Sequence, residues 1–249
     1  MTLIIDYSIA AVTFIVTIKS MGRPILFTLL LIGSLSGPMK MEASPEASSE
    51  DPIQDIKILE DRIRSHADHI ANCCVSLKST GGALGSGVLI SKSGLILSAA
   101  HLFAEGEDDL VVITGKGESR HAKVIQIDRS LDVALIQLLG TSPKDSEVAQ
   151  ISARQSFKPG TAFIAAGHAS GFSPLHAAPI RVGFGFEHPD DGMILTTCKV
   201  TAGDSGGPLF DARGELCGIH LTVDADGRYS SHVPLSKVIA AWPQLARLL

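Results

Sequence analysis

From Cys74 onward the chain breaks into short apolar runs punctuated by Gly, Pro and Asp. Runs at 86–90, 95–99, 110–114, 120–127, 133–138, 161–167, 179–185, 193–199, 207–211 and 215–221 each have the length of a strand and are bounded by turn formers. So many short strands predict an all-β protein of the barrel type. Ahead of them, Ile53, Ile56, Leu59, Ile63, Ala67 and Ile70 recur at helical spacing and predict an amphipathic helix packed on the body. Residues 44–55 lie in a stretch rich in Ser, Pro, Ala and acidic residues, which reads as a flexible linker.

The N-terminus carries two further apolar runs separated by charge. Leu3 to Ile18 is interrupted by Asp6, and Lys19 and Arg23 precede the second run, Pro24 to Leu35. Read from Met21, this is a short cationic segment, an apolar core of about a dozen residues and small residues before Ala43, the layout of a secretory signal. Residues 1–43 are therefore expected to be a leader that is removed on export, which places the mature protein outside the cytoplasm as a secreted or periplasmic species. Retention of the leader as a membrane anchor is the alternative.

Composition narrows the class. The chain has 249 residues, 45% of them apolar and 5% aromatic, enough for a full core in one catalytic unit plus a leader. A net charge of −5 offers no basic stripe, so nucleic acid is not an expected partner. His66 and His69 stand three apart on the predicted helix without a third ligand of suitable spacing, so they read as solvated residues. No metal or other cofactor is expected. Adjacent Cys73 and Cys74 are poorly placed to bond each other. Cys198 and Cys217 flank one turn and could bridge in an exported protein, but buried free thiols are the expected state of all four.

The densest chemistry lies in Thr201-Ala202-Gly203-Asp204-Ser205-Gly206-Gly207-Pro208-Leu209. A serine hydroxyl is a poor nucleophile until it is held beside a base, and the oxyanion it creates needs nearby backbone amides. Glycines allow that close approach, which marks Ser205 as nucleophile and the N–H groups of Gly203 and Ser205 as oxyanion donors. Such a serine also requires a histidine and a carboxylate to orient it. His101 ends Leu97-Ser98-Ala99-Ala100-His101, and Asp132 opens Asp132-Val133-Ala134-Leu135-Ile136.

These three motifs resemble those of trypsin-like serine proteases. Their compact spacing, with Gly214-Glu215-Leu216-Cys217-Gly218-Ile219 and Val233-Pro234-Leu235-Ser236-Lys237-Val238, is most similar to bacterial HtrA/Deg proteases and glutamyl endopeptidases. The resemblance spans roughly residues 73–247 and implies two six-stranded antiparallel β-barrels, the chymotrypsin fold, within a domain over 56–249. His101 and Asp132 would come from the first barrel and Ser205 from the second, with Pro234 to Leu248 as a closing helix. It implies a serine endopeptidase acting on protein or peptide substrates through His101, Asp132 and Ser205. A protease-fold binding or scaffold protein with lapsed chemistry is the alternative. No PDZ domain is expected, because the fold needs the residues after Ser205.

Two departures stand out. Asp204 replaces the Asn usual in the HtrA branch, and the sequence lacks the Ile-Val-Gly-Gly segment whose new N-terminus satisfies this aspartate in trypsins. A side-chain cation or backbone amides must satisfy it. Leu221 stands where digestive proteases place a serine that supports the triad aspartate. By the same resemblance the pocket for the residue before the scissile bond would use Lys199, Val200, His220, Leu221 and Thr222. Two readings of it stand: an acidic preference with His220 and Lys199 as donors, as in glutamyl endopeptidases, or a small apolar pocket of the HtrA kind.

Overall fold

The computed structural model describes residues 13–20, 23–30, 52–106, 108–154, 156–169, 177–223 and 227–248. Two units separate by contact, residues 1–48 and 49–249. Within the first, β1 (Thr13–Ser20) pairs antiparallel with β2 (Arg23–Leu30). The rest of the expected leader, and most of the expected linker, lie outside the described residues. The linker expectation ran too far, because the helix has begun by Pro52. Proline suits a first helical turn, whose N–H groups lack partners in any case, and Asp55 there faces the positive end of the helix dipole.

In the second unit, α1 (Pro52–Cys73) passes without a break into β3 (Cys74–Ser79). There follow β4 (Leu84–Leu89), β5 (Leu95–Ala99), β6 (Asp109–Ile113), β7 (Ser119–Asp128) and β8 (Val133–Leu138). After a loop come β9 (Thr161–Ala166), β10 (Ile180–Glu187), β11 (Ile194–Thr196), β12 (Pro208–Asp211), β13 (Leu216–Val223) and β14 (Ser230–Pro234). The chain closes with α2 (Leu235–Ala241) and a 3-10 segment, Pro243–Leu248. The strands form two closed barrels, in orders β3-β4-β5-β8-β7-β6 and β10-β11-β14-β13-β12-β9. Every pairing in both is antiparallel.

Three apolar cores explain the patterning. Leu77, Ile96, Val112 and Ile136 fill the first barrel, and Phe163, Leu209 and Cys198 fill the second. A third core joins Val88, Leu97 and Leu135 of the first barrel to Ile164, Phe210 and Ile219 of the second, with Ile70 of α1 and Val238 and Trp242 beyond β14. Strands such as β8 are thus buried on both faces, which is why they read as continuous apolar runs rather than alternating ones.

Several expectations need correction. Two barrel strands lie outside the expected runs: β3 because no breaker separates it from α1, and β14 because Ser230, Ser231 and His232 make it polar. β11 is shorter than expected, since beyond Thr196 the hydroxyl of Ser230 takes over the chain, donating to the Cys198 carbonyl and accepting from the Val200 amide. The closing helix stops at Ala241, because Pro243 lacks the N–H needed to continue it. The face of α1 packs only from its middle onward: Ile70 is buried, whereas Ile53 and Ile56 are 75% and 66% exposed. His66 and His69 are half-buried rather than solvated; His66 packs over Gly214, and His69 lies 3.6 Å from the Cys73 thiol. All four cysteines are free and buried. Burial pushes the Cys73 thiol up to about 12 and raises those of Cys198 and Cys217 as well, so none is primed as a nucleophile.

Candidate active site

His101 sits in a short 3-10 turn, Ala100–Leu102, at the end of β5. That turn is braced by Arg129, whose guanidinium donates to the carbonyls of Ala100 and Phe103, each at 2.7 Å. Asp132, just before β8, grips the same turn from the other side. Its backbone carbonyl accepts from the Ala100 amide, its Oδ1 accepts from the His101 amide at 2.7 Å, and its Oδ2 lies 2.6 Å from His101 Nδ1. Asp132 is the single described non-glycine residue with a positive φ, 55°. Aspartate tolerates this left-handed conformation better than most residues, and the surrounding hydrogen bonds hold it there.

A carboxylate accepts only, so Asp132 fixes the proton on Nδ1 and leaves Nε2 to face the cleft. The hydrogen bond to Asp132 raises the His101 pKa, burial opposes the rise, and the carboxylate charge adds to it. Both carboxylate oxygens of Asp132 are thus engaged by His101.

Ser205 lies across the cleft, in the turn between Val200 and β12. The cleft has a volume of about 580 Å³ and is lined by His101, Asp132, Val200, Thr201, Ala202, Ser205, Leu221, Thr222 and Val223. Among the described residues Ser205 Oγ makes no hydrogen bond to His101, a looseness common in catalytic sites without substrate. Gly203 (φ +94°) and Gly206 (φ +80°) flank it in conformations other residues resist. A Cβ on Gly206 would also stand 2.3 Å from Ser98 Oγ.

The interior of this turn is tightly bonded. The amides of Asp204, Gly206 and Gly207 donate to the carbonyls of Thr201, His220 and Asp204. Those of Gly203 and Ser205 have no acceptor among the described residues, which leaves two adjacent donors available.

Asp204 is fully buried, and its partner is Arg181 of β10, a residue the sequence reading missed. Arg181 Nη1 lies 2.9 Å from Oδ2 and Nη2 donates to Oδ1 at 3.0 Å. The Thr201 amide donates to Oδ2 at 2.8 Å and the Thr201 hydroxyl adds a second bond. A cation and a backbone amide thus both satisfy the aspartate, with no new N-terminus involved. A charged residue on a strand gives no local sign that it points at a loop some twenty residues away.

The expected pocket set divides. Val200, Leu221 and Thr222 line the cleft, while Lys199 is exposed and is not among the lining residues. His220 is fully buried, and both its ring nitrogens are engaged inside the second barrel. Its Nε2 lies 3.1 Å from the Ala166 carbonyl and its Nδ1 lies 3.0 Å from His232 Nδ1; His232 Nε2 lies 2.9 Å from the Thr196 hydroxyl. The carbonyl can only accept, which assigns the tautomers. His220 donates from Nε2, so its Nδ1 must accept from His232, whose Nε2 then accepts from Thr196. Both rings are neutral and satisfied. Burial lowers His220 to about 4 and pushes His232 well below its usual value, with His220 lowering it further. The expectation that His220 and Lys199 meet an acidic side chain is corrected accordingly.

Residues 85–219, more than half of the chain, match the family described as Trypsin-like peptidase domain. The chain belongs to that family. A probable periplasmic serine endoprotease DegP-like protein of Pseudomonas fluorescens is 35% identical over 144 residues, which cover 57% of this chain and 29% of that relative. This trypsin-like peptidase domain therefore matches less than a third of that relative's length. Among solved structures, a serine endoprotease from Yersinia pestis superposes with a TM-score of 0.62 at 21% identity, covering 73% of this chain and 66% of that one. The HtrA-type protease AlgW with tripeptide gives a TM-score of 0.62 at 22% identity, covering 72% and 63%. At such identities the likeness concerns the fold.

Proposed function

We propose that the protein is a serine endopeptidase in which Ser205, His101 and Asp132 form the catalytic triad. The observation that carries this reading is the Asp132–His101 pair facing, across one cleft, a serine whose turn presents two amides with no acceptor among the described residues. Ser205 Oγ attacks the scissile carbonyl as His101 Nε2 takes its proton, and Asp132 holds the imidazole and stabilises the imidazolium. The Gly203 and Ser205 amides receive the oxyanion. His101 then protonates the leaving amine, and water hydrolyses the acyl-enzyme by the same steps in reverse order of partners.

Substrate binds as an extended strand. β12 pairs with β13 only as far as Ile219, so the edge of Leu221–Val223 is open toward the cleft among the described residues. Beside it, Val200 and Leu221 favour a small apolar side chain before the cut, and among the described residues no Lys or Arg lines the cleft to meet an acidic one. The protein acts outside the cytoplasm, with residues 1–43 as its leader and 56–249 as the catalytic domain. The layout of the leader and the likeness to a protein named as periplasmic support this; among the described residues no helix is long and apolar enough to cross a membrane.

Labelling by a fluorophosphonate probe tests the reading. The purified protein takes up probe at Ser205 and cleaves a peptide library, and Ser205→Ala does neither. A wild-type protein that neither labels nor cleaves overturns the enzyme reading and leaves the scaffold alternative.

A further inference from the structure

We propose that Ser86, on β4 of the first barrel, is a positioning residue for the oxyanion-binding turn of the second; this rests on the catalytic reading above. Ser86 is fully buried, and each of its polar groups is used in a bond that bears on the nucleophile turn. Its hydroxyl donates to the Gly203 carbonyl at 2.8 Å and accepts from the His168 amide at 2.8 Å. Its own amide donates to the Ser205 carbonyl at 2.9 Å. Its carbonyl accepts from the Ser98 hydroxyl at 2.7 Å, and Ser98 lies three residues before His101 on the strand that leads to the base.

The two residues of the turn whose N–H groups have no acceptor among the described residues are the same two whose carbonyls Ser86 holds. Asp204 and Gly206 are held from within the second barrel, by Thr201 and His220, but Gly203 and Ser205 are held across the barrel interface. Glycine can rotate its peptide planes at little steric cost, so Gly203 depends on hydrogen bonds to hold its orientation. The Ser86 hydroxyl holds the Gly203–Asp204 peptide at its carbonyl while the Thr201 carbonyl holds it at the Asp204 N–H, and the two together set the orientation from which the Gly203 amide must meet the oxyanion. A serine hydroxyl suits the post because it donates and accepts at once, so the His168 amide orients the oxygen that in turn holds Gly203. Preorganised donors contribute in the transition state more than in the ground state, so loosening one lowers kcat rather than raising KM.

The test compares full-length wild type with Ser86→Ala and with Ser86→Cys, which fills the same space with a weak donor. Active sites are first counted with the fluorophosphonate probe. For both variants kcat per titrated site falls about 10- to 100-fold with KM within about twofold, less than the loss of an oxyanion donor itself. Affinity for a peptide boronate, which mimics the tetrahedral state, falls in parallel, while affinity for a cleaved product peptide is unchanged. The proposal is overturned if kcat per titrated site and boronate affinity stay at wild-type values. It is equally overturned if Ser86→Cys restores the full rate, because the effect of Ser86→Ala would then be that of a cavity. A wild type that takes up no probe would instead remove the catalytic reading on which the proposal stands.

Discussion

Two hydrogen-bonded histidine sites lie within one domain, and their environments drive them in opposite directions. His101 is 45% exposed at the cleft, bonded to a carboxylate, and its pKa is raised. His220 is fully buried, bonded to a second neutral imidazole and a carbonyl, and its pKa falls to about 4. Sequence context marks His101 as a candidate base but does not say whether His220 meets substrate or sits satisfied inside a strand. Partner and solvent do. A carboxylate leaves the far nitrogen of His101 free to exchange protons with a substrate, whereas the His232–His220–Ala166 chain uses every nitrogen and leaves nothing for chemistry.

The largest effect should separate the two sites directly. His101→Ala should lower kcat by several orders of magnitude, as should Ser205→Ala, whereas His220→Gln should leave kcat/KM within about tenfold. Steady-state kinetics on a library-derived peptide would break the comparison if the two histidine variants behaved alike.

A second test disturbs the buried charge pair that acts on His220. Arg181→Met strands the buried Asp204 carboxylate and should cost about 3–5 kcal/mol of stability, read as a drop in Tm, with much of it recovered in Arg181→Met combined with Asp204→Asn. Asp204 raises the His220 pKa and Arg181 lowers it, so the single variant should also move His220 upward. An unchanged Tm would show that the turn does not rely on this pair.

A smaller cost is expected at the buried histidines themselves. His232→Leu leaves His220 Nδ1 without a partner and the Thr196 hydroxyl, which still accepts from the Cys198 amide, without an acceptor for its proton; it should destabilise by about 1–3 kcal/mol, while the preferred residue before the cut stays the same. Library profiling checks the second clause; a shift in preference would return the buried pair to the substrate pocket.

The finest test is pH. Because the His101 pKa is raised, the acid limb of kcat/KM should lie above the 6.5 usual for histidine, with activity rising as the base deprotonates. Stability should respond in the opposite quarter. The folded state holds His220 neutral down to about pH 4, so protons bind preferentially to the unfolded chain between about 6.5 and 4, and stability falls as pH falls through that window. A stability curve flat over this range would contradict the neutral pair.

The triad candidates, the barrel class and most strands were legible in the sequence because their determinants are local. Ser205 needs glycines beside it, His101 and Asp132 each sit where an apolar strand meets a turn, and runs such as Val133 to Leu138 carry their burial in their composition. What the sequence could not reveal are partnerships made by barrel closure and barrel docking. Arg181 reaches Asp204, Ser86 reaches Gly203, Arg129 braces the His101 turn, and His220 meets His232 only because β13 and β14 are neighbours in register. Each is a directional polar contact between residues distant in the chain, and such contacts leave no periodicity behind. Apolar burial is non-directional and repeats along every strand, so it writes the fold into the pattern. The sequence marks His101 as the candidate base, but whether His220 meets substrate or is a buried strut was left to the tertiary structure, because only there do burial and partner set the proton's position.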